Sequence, residues 1–95
     1  MKVITLCGSM RFWNEMQEIA YALETKYGYY AIAPVGGSEP LDKEAKARLA
    51  KAHYKKIDLS DAVYIVNIGG YIGESVSEEL RYAQRHHKEI IFHES

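Results

Sequence analysis

The chain has too little of several things to belong to certain protein classes. Cysteine occurs once, as Cys7, so neither an internal disulfide nor a multi-cysteine metal site can form. Neither sign of charge dominates: twelve basic residues stand against thirteen acidic ones, a net charge of -1. That balance argues against a nucleic-acid-binding or membrane-surface protein, which usually carries a basic excess. A small anionic ligand stays open, since one arginine and a few backbone amides can hold it. No apolar run approaches a membrane span, and the opening MKVITLCGS is apolar over too short a stretch for a signal peptide. A reducing cytoplasmic compartment is therefore expected. Internal repeats, low-complexity tracts and linkers are missing too, so residues 1–95 read as a single domain. A domain this small buries only about two-thirds of its unfolded surface. Self-association would supplement so marginal a core.

What is present is a regular alternation of strand and helix signals. Residues 2–7 read as a strand ending in Gly8-Ser9. Apolar residues at Phe12, Met16, Ile19, Ala20, Leu23 and Tyr27 then follow a helical period, with Ser9 placed to cap the start and Gly28 to end it. Residues 29–33 form a second strand, stopped by Pro34. A second helix covers about 41–57, with Leu49, Ala50, His53 and Ile57 along one face. Residues 62–68 are nearly continuously apolar, as in a strand buried on both faces of a parallel sheet. A glycine-rich turn over 69–73, a helix over 75–86 and a strand over 89–93 complete the chain.

The order βαβαβαβ predicts an α/β three-layer sandwich with helices on both faces of a parallel sheet. Right-handed crossovers favour strand order 2-1-3-4, a Rossmann-like arrangement of the flavodoxin-like kind. Ligands of such sheets bind beyond the carboxyl ends of the strands, where the order reverses. Here that point lies between the first and third strands, where the loops 7–11 and 69–75 meet.

Glu79 is the residue at that edge hardest to explain as scaffold. Val76, Leu80 and Ala83 set the inward face of its helix, and Glu79 falls among them. A carboxylate on an apolar face costs stability unless something pairs with it, while its place in the first turn favours the ionised form. A carboxylate so placed is what a retaining glycosyl transfer needs as nucleophile. An ion pair with Arg11 or Lys56 that merely holds loops together is the competing account. Ser75-Val76-Ser77-Glu78 fits a capping box, which explains Glu78. Gly8-Ser9-Met10-Arg11 opens a helix, and its free N–H groups and guanidinium suit a phosphate or sugar hydroxyl, or else make a capped tight turn. Cys7 reads as the last core residue of its strand, with no histidine recognisably placed to activate it.

His53 points inward and is either a proton donor or a satisfied core histidine. Asp58 and Asp61 lie at the opposite end of the sheet and read as turn formers. His86, His87 and His93 lack metal-ligand spacing. Tyr71, in the glycine loop, is placed to stack on a base or a partner subunit, and Asn67 points at the same edge.

Three segments taken together resemble a known family: residues 7–11 (CGSMR), residues 61–66 (DAVYIV) and residues 73–83 (GESVSEELRYA). In order and spacing they are similar to the nucleoside 2-deoxyribosyltransferase superfamily, which includes the deoxynucleoside 5'-monophosphate N-glycosidases. The resemblance implies cleavage or transfer of an N-glycosidic bond through a covalent sugar–Glu79 ester, without cofactor or metal. It implies ligand contacts from Gly8, Ser9, Arg11 and Ser75 or Ser77, and a homodimer or higher oligomer whose neighbouring chain completes the pocket. Met10, Gly70 and Gly73 of the same two loops, with Asn67 and Tyr71 at the same edge, complete the candidate binding set. The family usually has an aspartate where this chain has His53, so the histidine takes its place or the proton donor lies elsewhere. The glycine loop is longer by a couple of residues, and the chain is shorter than most members. Two other readings fit the same loops: a nucleotide-binding sensor without turnover, and a glycosidase acting on a ribonucleotide or a dinucleotide such as NAD.

Overall fold

The computed structural model describes residues 2–37 and 39–95. Strands β1 (Val3–Gly8), β2 (Tyr30–Ile32), β3 (Ala62–Val66) and β4 (Glu89–Phe92) alternate with helices α1 (Trp13–Tyr27), α2 (Lys43–Asp58) and α3 (Glu74–Arg85). All strand pairs are parallel and the sheet order is β2-β1-β3-β4. This is the flavodoxin-like three-layer arrangement expected from the alternation of elements.

The two-residue period of β1 decides which side chains meet which helices. Ile4 and Leu6 face α1, where they pack with Met16, Leu23, Ala62 and Val66. Cys7 points the other way, into a second cluster with Ile57 of α2, Val63 and Ile65 of β3, and Val76 and Ala83 of α3. Helix α1 thus covers one face, and α2 with α3 covers the other. Gly8 ends β1 where helix and sheet press together: a Cβ there would lie 2.9 Å from both Met16 Sδ and Val66 Cβ.

Several boundaries differ from the sequence expectation. Ser9 caps a 3-10 turn at Met10–Phe12 through its Oγ, which accepts from Arg11 N–H, and α1 starts only at Trp13 with no side-chain cap. β3 stops at Val66, short of residue 68, because Asn67 turns the chain into a second 3-10 turn, Ile68–Gly70. The capping box at Ser75 does not form. Gly73 is the N-cap of α3 and no side chain caps it, so Ser75 lies inside the first turn and Glu78 is exposed.

The far end of the sheet is tied by polar side chains. Asp61 Oδ2 accepts from Val3 N–H at 2.8 Å, and Asp58 Oδ1 accepts from Tyr82 O–H. Thr5 and Ser60 share a buried hydrogen bond, and the hydroxyl that accepts it is left to donate to the Lys56 carbonyl, which lies within reach of both. Among the described residues no helix is long and apolar enough to cross a membrane.

Candidate active site

A cleft of about 340 Å³ opens on the α2–α3 side, beyond the carboxyl ends of β1 and β2. Its floor is the turn Gly8–Met10, one wall is Leu49, Ala50, His53 and Lys56 of α2, and the other is Ser75, Val76 and Glu79 of α3. Pro34 and Val35, following β2, close the rim. At the same rim Met10 and Trp13 press on Gly36, where a Cβ would come within 2.5 Å of Met10 Cε and 3.8 Å of the indole.

Glu79 enters this cleft because it shares the face of α3 that carries buried Val76 and Ala83. Its partner is neither Arg11 nor Lys56 but His53, whose Nε2 lies 3.3 Å from Glu79 Oε1; the two side chains are 10% and 17% exposed. His53 reaches it by the same logic, one turn before buried Ile57 on the inner face of α2.

The same imidazole nitrogen lies 3.5 Å from Cys7 Sγ. A histidine thus stands beside Cys7, where the sequence offers none recognisably placed to activate it. The thiol is nonetheless held protonated: burial pushes its pKa well above the usual 9.0, and the charge of Glu79 adds to the effect. A thiol so placed makes a poor nucleophile. No known protein family, no curated protein and no solved structure matches this chain. What the site can do rests on its own chemistry.

Of the residues expected to hold a ligand, Gly8, Ser9, Met10 and Ser75 line the cleft with His53 and Glu79. Arg11, Asn67, Gly70, Tyr71, Gly73 and Ser77 do not. The 3-10 turn after Ser9 carries Arg11 away, so that its guanidinium lies over the Tyr71 ring at 4.0 Å from the centroid. Tyr71 also packs edge-on against Phe12, with ring centres 6.1 Å apart. Gly69 and Gly70 adopt left-handed φ angles of 66° and 79°, a path that glycine takes without penalty.

Asn67 is engaged elsewhere: its amide donates to the Glu94 carbonyl at 2.9 Å and accepts from Glu94 N–H at 2.8 Å. Ser77 donates its backbone N–H to the Gly73 carbonyl at 2.9 Å, as a first-turn residue should. The glycine loop is thus a neighbour of the cleft, not its wall.

Sequence reasoning missed the β2 exit as a wall of the site and did not assign Lys56 a ligand. The signal was available in part. Leu49, Ala50 and His53 share a helical face, and following that face one turn past His53 reaches Lys56.

Proposed function

We propose that this chain cleaves or transfers the N-glycosidic bond of 2'-deoxynucleosides or their 5'-monophosphates, with Glu79 as nucleophile. The observation that carries the reading is a carboxylate with little exposure, set in the wall of a cleft at the ligand-binding edge of the sheet. The resemblance of the segments 7–11, 61–66 and 73–83 to the nucleoside 2-deoxyribosyltransferase superfamily supplies the chemistry. The cleft volume stands at the low end of the roughly 300–1,000 Å³ typical of ligand pockets. That size suits a nucleoside or a mononucleotide better than a dinucleotide such as NAD.

A Glu79 carboxylate oxygen bonds to the anomeric carbon as the C–N bond breaks, and the bonding pair leaves with the base, which takes up a proton. Water or a second base then attacks the same carbon and releases the ester. The missing 2'-hydroxyl weakens the glycosidic bond, so few catalytic groups are needed.

His53 fits this scheme as a positioning residue. In retaining glycosidases the acid and the nucleophile stand about 5–5.5 Å apart, with the scissile bond between them. The separation here is 3.3 Å, and His53 is only 8% exposed. A base leaving from the face opposite Glu79 is out of its reach, so the proton comes from the open side of the cleft. Exposed Met10, Trp13 and Val35 at the rim support closure of the cleft by a second copy of the chain.

The test is base release from a panel of deoxynucleosides and their 5'-monophosphates, run with a chelator, for the wild type and Glu79→Gln. Release by the wild type that falls at least about 10³-fold in the variant supports the reading; triad and nucleophile knockouts in other enzymes lose this much or more. No release from either protein, with equal nucleotide binding by both, would make the chain a sensor and Glu79 a structural partner of His53.

A further inference from the structure

The cluster under the cleft holds three side chains of the types that ligate metals. Cys7 Sγ, His53 Nε2 and a Glu79 carboxylate oxygen all lie within 4.8 Å of one another. They come from β1, α2 and α3, so the fold itself brings them together. We infer that Cys7, His53 and Glu79 form a binding site for one thiophilic divalent cation of the zinc class.

Two of the three separations match a tetrahedral centre. Zinc takes sulfur at about 2.3 Å and nitrogen or oxygen at about 2.0–2.1 Å. At tetrahedral angles those bonds place sulfur about 3.6 Å from nitrogen, and nitrogen about 3.3 Å from oxygen. The observed separations are 3.5 Å from Cys7 Sγ to His53 Nε2 and 3.3 Å from His53 Nε2 to Glu79 Oε1. Calcium and magnesium prefer six or more oxygen ligands, which this site does not offer. Charge agrees as well. Binding displaces the Cys7 proton to solvent, and the resulting thiolate and one carboxylate neutralise the dication, so no net charge is left on the centre although its cysteine is fully buried. Three protein ligands leave the fourth position to water or a ligand in the cleft.

The site does not depend on the glycosyl-transfer reading, but its consequence does. A cation that ligates Glu79 draws electron density from its carboxylate and makes it a weaker nucleophile, so metal binding inhibits catalysis.

Cobalt(II) titration of the whole, reduced and metal-stripped chain tests this by absorbance. The expected result is saturation at one ion per chain, with visible bands of a tetrahedral centre and a near-ultraviolet thiolate-to-cobalt band. Zinc should displace the cobalt and magnesium should not. Since the chain has a single cysteine, the charge-transfer band can only report Cys7. Glu79→Gln should keep that band and weaken binding by more than the roughly 10–100-fold that loss of an outer-shell partner costs. Cys7→Ser should lose the band, and His87→Gln should change nothing. A wild type without the charge-transfer band overturns the inference, whether or not Cys7→Ser folds. So does a titration unchanged in Glu79→Gln or abolished in His87→Gln. Base release in chelator without cobalt binding defeats the metal site alone. Cobalt binding without base release defeats the glycosyl-transfer reading alone.

Discussion

At the scale of single residues, the site turns on which cation faces the ligand. Arg11 is committed to the Tyr71 ring, whereas Lys56 lines the cleft. A 5'-phosphate should therefore depend on Lys56. Lys56→Ala is expected to raise KM for a deoxynucleoside monophosphate roughly tenfold to a hundredfold, the size of a lost charged hydrogen bond of about 1.5–3 kcal/mol. KM for the unphosphorylated deoxynucleoside should change little, and steady-state kinetics on the pair of substrates decides it. Glu79 and His53 were legible in the sequence because each shares a helical face with residues that must be buried. The meeting of His53 with Cys7 was not. It depends on how α2 is rotated against β1, which tertiary packing fixes and no local pattern records. Arg11 was misplaced for a related reason: the 3-10 turn adds three residues between Ser9 and α1 and changes the direction of everything after it.

At the scale of elements, the sequence determined which segments are strands and helices better than where they end. The four strands and three helices all occur where hydrophobic period placed them. The start of α3 was misjudged because the motif Ser-x-x-Glu looks the same whether or not its serine takes the cap. Gly73 takes that position in an extended conformation, which puts Ser75 two residues too deep to cap. The helix caps can be told apart by mutation. Asp42 Oδ1 accepts from Ala45 N–H at 2.8 Å and caps α2, so Asp42→Ala should cost about 1 kcal/mol. Ser75→Ala, removing no cap, should stay within about 0.5 kcal/mol of the wild type. Urea denaturation of the two variants measures the contrast, and a loss of about 1 kcal/mol at Ser75 would contradict the assignment.

At the scale of the whole molecule, the layers are held together by phenols as well as by aliphatic side chains. Tyr82 donates its O–H to Asp58 across the α2–α3 pair, and that hydrogen bond, followed by burial, raises its pKa above the usual 10.0. Burial raises Tyr64, between β3 and the α1 layer, in the same direction. A raised acid keeps its proton in the folded state at a pH where the unfolded chain has lost it. The stability linked to these groups is therefore fully present below about pH 10 and is lost as pH climbs through the folded values. Thermal melts should show Tm falling above that point, and Tyr82→Phe should melt lower at neutral pH yet decline less steeply in alkali. An equal decline in the variant would remove Tyr82 as a source of the effect.

The chain has one tryptophan among eight tyrosines, and Trp13 sits where the first loop meets Gly36 at the rim of the cleft, 36% exposed. Light absorbed by the tyrosines drains toward that single indole, so the emission of the whole molecule is a view from one spot. A ligand that draws the rim inward strips water from the indole, and the emission moves to the blue. A blue shift on adding a deoxynucleoside, read in a cuvette without label or coupled assay, is then the expected sign of occupancy.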